Sequence, residues 1–332
     1  MSEKSPKQKP VRPIFLVAMG LALAGFGLIS GMAVDVATRP PERNPFLVRP
    51  KPAPPQAQSL APLVDSVSNV RPERPTGEPI RAWAPERPVG DRPMVAYAVP
   101  SAAPVNQPVI AIVIDDMGVD RNRSLRMIGV SPPLTLSLMT YADGLPELAA
   151  RARQAGHEVM AHLPMEPMDP NENPGRGALR TDMEAAEIRT MLAADLDPWS
   201  GYVGVNNHMG SKFTRDRARM NVVMAELKSR GLLWLDSKTI PGSAGMAAAQ
   251  AAGVPYVERD VFIDNVQSVA EVAARLAETE VLARNRGTAI AIGHPHDATL
   301  QALGEWQKGL DERGIALVPV TEVLKRRMLG PQ

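Results

Sequence analysis

A pair of adjacent carboxylates ends a long apolar run in this sequence. The segment IAIVIDDMG places Asp115 and Asp116 directly after a series of mostly β-branched residues. Such a run, without polar alternation, is typical of a strand buried on both faces of a parallel sheet. Neighbouring carboxylates repel each other and resist burial unless a cation or a proton-transfer task keeps them there. The pair therefore suggests a metal site, a catalytic base, or both.

Most of the histidines also lie where apolar runs end. His162, His208 and His294 occupy such positions, with His296 two residues further on, whereas His157 begins a run. Other polar residues in comparable places are Glu166, Asn206, Asn207, Asp236 and Asp264. Because the carboxyl ends of parallel strands meet at one rim, we expect these side chains to converge there. Asp and His together suit zinc, manganese, iron, cobalt or nickel in an open site.

The carboxylate pair can serve two roles only if the chain turns. Adjacent residues of a strand point to opposite sides, so we expect a turn at Asp116, which the following Met117-Gly118 permits. One carboxylate would then bind a metal ion while its neighbour accepts a proton from water.

The elements that would position these residues alternate between strands and helices. Apolar, strand-like runs are found at 109–115, 134–139, 157–163, 202–206, 232–236, 255–259, 288–294 and 315–320. Helical patterns lie between most of them, including one with a capping-box start at Thr181 and one over 266–285. The pattern predicts an α/β fold, a distorted (β/α) TIM-like barrel of about seven to eight strands. An open, doubly wound sheet is the alternative, although no glycine-rich nucleotide fingerprint follows the first strand.

Composition excludes several classes of function. The 332 residues include no cysteine, so disulfides, cysteine-ligated zinc and a cysteine nucleophile are excluded. The net charge of +1 gives no indication of a nucleic-acid-binding surface, and we predict no nucleic-acid partner.

The amino-terminal third predicts an exported, membrane-tethered protein. A basic segment at 1–13 precedes an uncharged apolar run at 14–34, long enough to span a membrane, which we interpret as an anchor with the amino terminus in the cytoplasm. A cleaved signal peptide is the alternative. Residues 35–108 hold most of the proline-rich sequence and predict a disordered linker before a domain at 109–332. We therefore expect inner-membrane anchoring with the domain in the periplasm.

Several motifs in the domain resemble those of a known family. The segments IVIDDMG, GHEVMAHLPMEP, GVNNHMGS, LDSKT and IAIGHPH are similar to those of the divergent polysaccharide deacetylases, the YibQ-like branch of the NodB-type carbohydrate esterases. The resemblance extends from Val109 to about Leu329. It implies a distorted (β/α) barrel and metal-dependent removal of acetyl groups from sugar polymers.

The resemblance also implies roles for individual residues. Asp115 corresponds to the general base, Asp116 and His162 to metal ligands, and His294 to the general acid. The family's second ligand histidine is replaced here by Glu166, and its Arg-x-Pro-Tyr motif is absent. Either His208 or Glu166 could supply the third ligand, and we favour His208 because imidazole restores a set of one carboxylate and two histidines. Supporting roles remain open for Asn207, Asp236 and Asp264.

Three functions follow as hypotheses. The first is a metal-dependent hydrolase, with zinc as its ion, that removes acetyl groups from an envelope glycan. The second is a catalytically silent periplasmic barrel that binds a glycan or a protein partner of a kind the sequence does not identify. The third is a different metal hydrolase such as a phosphoesterase, because Asp and His ligands serve that chemistry equally well.

Overall fold

A computed structural model describes residues 92–329, and the strands in this range form one parallel sheet. The strands are β1 (Val109–Met117), β2 (Thr135–Met139), β3 (Glu158–Met165), β4 (Gly204–Met209), β5 (Leu233–Asp236), β6 (Tyr256–Glu258), β7 (Val261–Phe262), β8 (Thr288–Gly293) and β9 (Ala316–Leu317). The helices are α1 (Pro93–Ala96), α2 (Arg121–Ile128), α3 (Leu145–Gln154), α4 (Ala185–Leu196), α5 (Arg217–Arg230), α6 (Gly245–Ala252), α7 (Val269–Arg286), α8 (Asp297–Trp306) and α9 (Val320–Leu329), with a 3₁₀ turn at Phe213–Arg215.

The sheet is curled into an incompletely closed barrel. Its strand order is β6-β5-β4-β3-β2-β1-β8-β7, and β9 pairs with β1. Only Arg259 and Asp260 separate β6 at one edge from β7 at the other, so the two strand ends lie within about 11 Å of each other. The Arg259 N–H donates to the backbone carbonyl of Asp236 in β5 (3.1 Å), and the Asp260 N–H donates to the backbone carbonyl of Ile290 in β8 (2.9 Å). The parallel, curled sheet fits the TIM-like fold that the sequence predicts.

The apolar run of β1 is buried on both of its faces. Ile110 and Ile112 belong to the larger core cluster, which lies between the sheet and the helices. Ala111 and Val113 belong to a second cluster of side chains from several strands, which fills the barrel interior together with Tyr97 and part of α9. This two-sided burial explains why the sequence of β1 shows no polar alternation.

The packed structure includes residues before Val109. Residues 92–108, which we assigned to the linker, include α1 and pack against the amino-terminal end of the barrel. Arg153 donates to the backbone carbonyl of Tyr97 (2.8 Å), and the Val99 N–H donates to Glu158 (3.3 Å). The rest of the predicted linker, the predicted anchor and the basic segment lie outside the described residues. No helix within residues 92–329 has the length and apolar character needed to cross a membrane.

Two local boundaries differ from those we predicted. Helix α4 begins at Ala185, and its capping box is formed by Glu184 and Glu187 rather than by Thr181. Thr181 instead donates its hydroxyl and its backbone N–H to Glu166. The run at 315–320 contributes only the two residues of β9, because α9 already begins at Val320.

Candidate active site

The chain turns at Asp116 as the sequence predicts. Asp116 has a φ of 57°, and the pairing of β1 with β2 shifts register between Ile114 and Met117. This bulge brings both carboxylates to the same side. His162 Nε2 lies 3.6 Å from Asp115 Oδ2 and 3.4 Å from Asp116 Oδ1. A single imidazole therefore contacts both members of the pair.

Left-handed backbone at residues other than glycine is concentrated at this rim. Apart from glycine, the described residues with positive φ are Asp116, Met209 (50°) and Lys238 (55°). They lie at or just beyond the carboxyl ends of β1, β4 and β5. Non-glycine residues rarely adopt this conformation, and they do so mainly where the surrounding structure of a functional site imposes it. The backbone thus marks the same rim that the histidines indicate.

Asp116, His162 and His208 form a compact group of potential metal ligands. Their ligand atoms all lie within 4.8 Å of one another, and Asp116 Oδ1 is 2.9 Å from His208 Nδ1. Two ligands bound tetrahedrally to zinc at its usual bond lengths are roughly 3.4 Å apart. The separation of Asp116 Oδ1 from His162 Nε2 has this value. Asp116 Oδ1 is buried, and its close contacts within residues 92–329 include the ring nitrogens of His208 and His162. The donor set therefore fits a divalent cation.

Asn206 fixes the orientation of both Asp115 and His162. Its Nδ2 donates to Asp115 Oδ1 (2.8 Å), and its Oδ1 lies 2.8 Å from His162 Nδ1. Ser137 also donates its hydroxyl to Asn206 Oδ1. A carboxylate can only accept, so the amide nitrogen must face Asp115 and the amide oxygen must accept from His162. His162 consequently carries a proton on Nδ1, so that its neutral form directs the Nε2 lone pair at the ligand group.

The pKa values of Asp115 and Asp116 are shifted in opposite directions. Burial raises the pKa of Asp115, although His162 and His294 oppose that effect. Asp116 is also partly desolvated, but the adjacent imidazoles of His162 and His208 hold its pKa well below the usual range. For His162, burial is outweighed by the negative charge of Asp115 and Asp116, and its pKa is raised. Asp116 is thus suited to remain charged, and Asp115 to accept a proton.

His294 approaches the ligand group from β8 and is held by Asp264. Its Nδ1 lies 3.1 Å from Asp264 Oδ1, and its backbone N–H donates to Asp264 Oδ2 (2.6 Å). Although burial opposes it, the hydrogen bond to Asp264 raises the pKa of His294 to about 9. His294 Nε2 lies 3.9 Å from Asp116 Oδ2. Asp264, His294 and His296 form a second group of potential ligands, but Asp264 already accepts from His294 and Thr299.

Asn207 and Asp236 lie beneath the rim rather than in the ligand group. Asn207 accepts from the Ser237 N–H (2.9 Å) and donates to the Met209 carbonyl (2.7 Å). Asp236 accepts from the Ser243 hydroxyl (2.7 Å). Asn207 therefore joins the ends of β4 and β5, whereas Asp236 stabilises the loop that follows β5.

Glu166 lies in a separate cluster. It accepts from Thr181 Oγ1 (2.6 Å) and from Lys212 Nζ (2.7 Å). Despite its burial, these donors lower the pKa of Glu166 to about 2. Glu166 is absent from the groups of potential ligands found among the described residues.

Replacing Glu166 by Gln should destabilise the protein in a pH-dependent manner. The folded pKa of about 2 is below the ordinary 4.5, so the carboxylate contributes stability above pH 4.5 that is lost as pH falls toward 2. We expect Glu166→Gln to lower the free energy of unfolding by roughly 2 kcal/mol at pH 7 and by little near pH 2. Denaturant titration at both pH values measures this difference.

The matched control is Glu305→Gln, because Glu305 forms an exposed ion pair with Lys308 and should contribute little. Zinc affinity of Glu166→Gln should equal that of the wild type. A large loss of zinc affinity would instead favour Glu166 as the third ligand.

Ser137 and Arg259 are site residues that the sequence analysis missed. Ser137 is the polar residue inside the apolar run LTLSLM, which was an available signal. Arg259 donates to the carbonyls of Ser237 (2.8 Å) and Lys238 (2.9 Å), and burial lowers its pKa although the charge of Asp115 opposes this. The sequence around Arg259 gave no comparable signal.

The fold and the site together define a class of protein. It is a TIM-like α/β barrel with a group of potential Asp and His metal ligands and a neighbouring carboxylate at the carboxyl rim of its strands. The chain belongs to the divergent polysaccharide deacetylase family, whose model matches residues 112–324. The family resemblance noted from the motifs is thereby confirmed.

The chain is similar to proteins from three bacteria. The chain is 34% identical to the uncharacterized protein YibQ of Escherichia coli K12 over 235 residues, which cover 70% of this chain and 73% of that protein. It is 30% identical over 206 residues to an uncharacterized protein of Haemophilus influenzae, covering 62% and 73% of the two chains. The crystal structure of the uncharacterized protein ATU2773 from Agrobacterium tumefaciens C58 is similar with a TM-score of 0.69 and 29% identity, covering 71% of this chain and 96% of that one.

Proposed function

We propose that the protein is a metal-dependent hydrolase that removes acetyl groups from an envelope polysaccharide or glycan. The observation that carries this proposal is the convergence of Asp116, His162 and His208 beside the buried Asp115. Membership of the deacetylase family supports the reaction class. In this proposal Asp116, His162 and His208 hold the ion, and zinc is the ion that suits them.

Bound to these ligands, a divalent cation would lower the pKa of a water molecule and polarise the acyl carbonyl. Asp115 takes the proton from the attacking water, since its pKa is raised and its orientation is fixed by Asn206. His294 is held protonated by Asp264 and donates a proton to the departing amine or alcohol. The products are acetate and the deacetylated sugar.

The proposed location is the periplasmic face of the inner membrane, reached through the apolar segment at 14–34. An acetylated glycan of the envelope is the substrate that this location would supply. The support for this location comes from the amino-terminal sequence pattern alone.

The test is metal-dependent release of acetate. Full-length protein should bind zinc and release acetate from N-acetylglucosamine oligomers or acetylated xylan. A chelator should abolish release, and added zinc should restore it. Glycan binding without acetate release by the zinc-loaded protein would contradict the hydrolase and favour the silent binding barrel.

A further inference from the structure

Tyr141 lies between the two strand ends that carry the first candidate ligands. It follows β2, whose neighbours in the sheet are β1 and β3. On one side, the Thr140 N–H donates to the backbone carbonyl of His162 (3.2 Å). On the other side, Ala142 lies so close to Gly118 that a methyl group on this glycine would be 2.6 Å from the Ala142 Cβ. Tyr141 is therefore bracketed by the ends of β1 and β3.

The Tyr141 ring is held by the loop that follows β3. A methyl group on Gly175, which has a φ of 90°, would overlap the edge of this ring. Arg176 donates to the backbone carbonyl of Tyr141 (2.9 Å). The aromatic ring is thus seated against backbone, which restricts where its hydroxyl can reach.

The phenol hydroxyl of Tyr141 is available as a hydrogen-bond donor. Within residues 92–329 it makes no hydrogen bond to another side chain or to backbone. Burial and the negative charge of Asp116 both raise the pKa of Tyr141, so the hydroxyl keeps its proton at neutral pH. The Asn206 amide nitrogen already donates twice, to Asp115 and to the Ser237 hydroxyl oxygen. Tyr141 therefore offers a donor that Asn206 does not.

We propose that Tyr141 is a catalytic residue whose hydroxyl donates a hydrogen bond to the acyl oxygen of the bound acetyl group. The negative charge that develops on this oxygen during attack strengthens the bond, and the proton stays on the phenol throughout. This inference rests on the proposed hydrolase function and adds a side-chain oxyanion donor to it. Gly175 is the positioning residue that sets the ring.

The variant Tyr141→Phe removes the hydroxyl and keeps the aromatic ring, so it tests the contribution of the hydroxyl alone. The variant keeps the contact with Gly175, so the fold should be preserved. We expect kcat for acetate release to fall roughly 10²-fold while KM changes little. The matched control is Tyr256→Phe, at the amino end of β6, which should leave both constants unchanged. Unchanged kcat in Tyr141→Phe, together with lower activity in Tyr141→Ala, would reduce the role of Tyr141 to packing and overturn the proposal.

A second pair of variants moves the ring without altering the phenol. Gly175→Ala should displace the Tyr141 ring and lower kcat, because the new methyl group overlaps it. Gly242→Ala introduces the same substitution at a similar positive φ of 83° with no atom within 4 Å, and it should retain full kcat. Equal kcat values in the two variants would contradict the positioning role of Gly175.

Acetate binding provides a readout that does not depend on turnover. Calorimetry of zinc-loaded protein should give a Kd for acetate about tenfold weaker in Tyr141→Phe than in the wild type, with equal zinc affinity. This difference would persist even if no acetylated glycan proved to be a substrate, which would count against the hydrolase alone. Equal acetate affinity, altered zinc affinity, or no acetate binding by the wild type would each overturn the role of Tyr141.

Discussion

Replacing Asp116 by Asn is expected to remove tight metal binding and, with it, acetate release. The substitution removes the only carboxylate of the proposed ligand group. The Asp116 Oδ1 atom lies 2.9 Å from His208 Nδ1 and 3.4 Å from His162 Nε2. Loss of a ligand should weaken zinc affinity by more than the roughly 10–100-fold that loss of an outer hydrogen-bond partner costs. Competition with a chromogenic chelator measures zinc affinity, and acetate assays measure the lost activity.

The variant should remain folded, which makes the result interpretable. Asparagine tolerates the left-handed backbone that Asp116 adopts at φ 57°, so the turn at the end of β1 is preserved. The matched control is Asp197→Asn, since Asp197 is an exposed partner of Arg230 at the end of α4, before β4 begins. Wild-type zinc affinity in Asp116→Asn would rule out this ligand assignment.

Replacing Asp115 by Asn is expected to lower kcat for acetate release by about 10³-fold while zinc is retained. The amide keeps the size of the carboxylate and can still accept from Asn206, but it cannot take a proton from water. This separates the two members of the pair, because only Asp116 should be required for zinc. Zinc content after gel filtration and kcat measured at saturating substrate give the two quantities.

The Asp115→Asn variant also distinguishes a role of Asp115 as the catalytic base from a role as a metal ligand. Full acetate release by Asp115→Asn would remove the proposed base. Loss of zinc together with activity would show that Asp115 is itself a ligand. This assignment competes with Asp116 because Asp115 Oδ2 also lies close to His162 Nε2, at 3.6 Å. Asp197→Asn again serves as the control for a surface carboxylate.

Much of the fold could be predicted because burial leaves a simple pattern. Strands covered on both faces become unbroken apolar runs, as in β1 and β8, and these runs located most of the sheet. Parallel strands place their carboxyl ends at one rim, so residues distant in sequence could be grouped without a structure. The turn at Asp116 followed from the opposite directions of adjacent strand side chains.

The contacts that orient the site could not be predicted in the same way. Asn206 joins Ser137 to Asp115, and these residues are 69 and 91 positions away from it in the chain. Glu166 follows His162 at the family's ligand spacing, yet its carboxylate is bound by Lys212, 46 positions away. Neither partner is specified by local pattern, because each depends on how loops from different strands meet.

Composition was also an incomplete guide to the start of the domain. Proline at high density favours extended backbone, and this indicated a linker up to residue 108. A short helix nevertheless forms there as α1, and Tyr97 at its end packs into the core cluster of the barrel interior. The contact of its carbonyl with Arg153 depends on a helix 56 positions later.

The short connection between β6 and β7 makes the closure of the barrel depend on two residues. Their backbone N–H groups hydrogen-bond to β5 on one side and to β8 on the other, and the Arg259 side chain also donates to the carbonyls of Ser237 and Lys238. Asp264, the residue that holds His294, comes only two positions after β7 ends. A longer connection would therefore release both edge strands and displace the proposed acid, so evolutionary changes of loop length are better tolerated elsewhere on the rim.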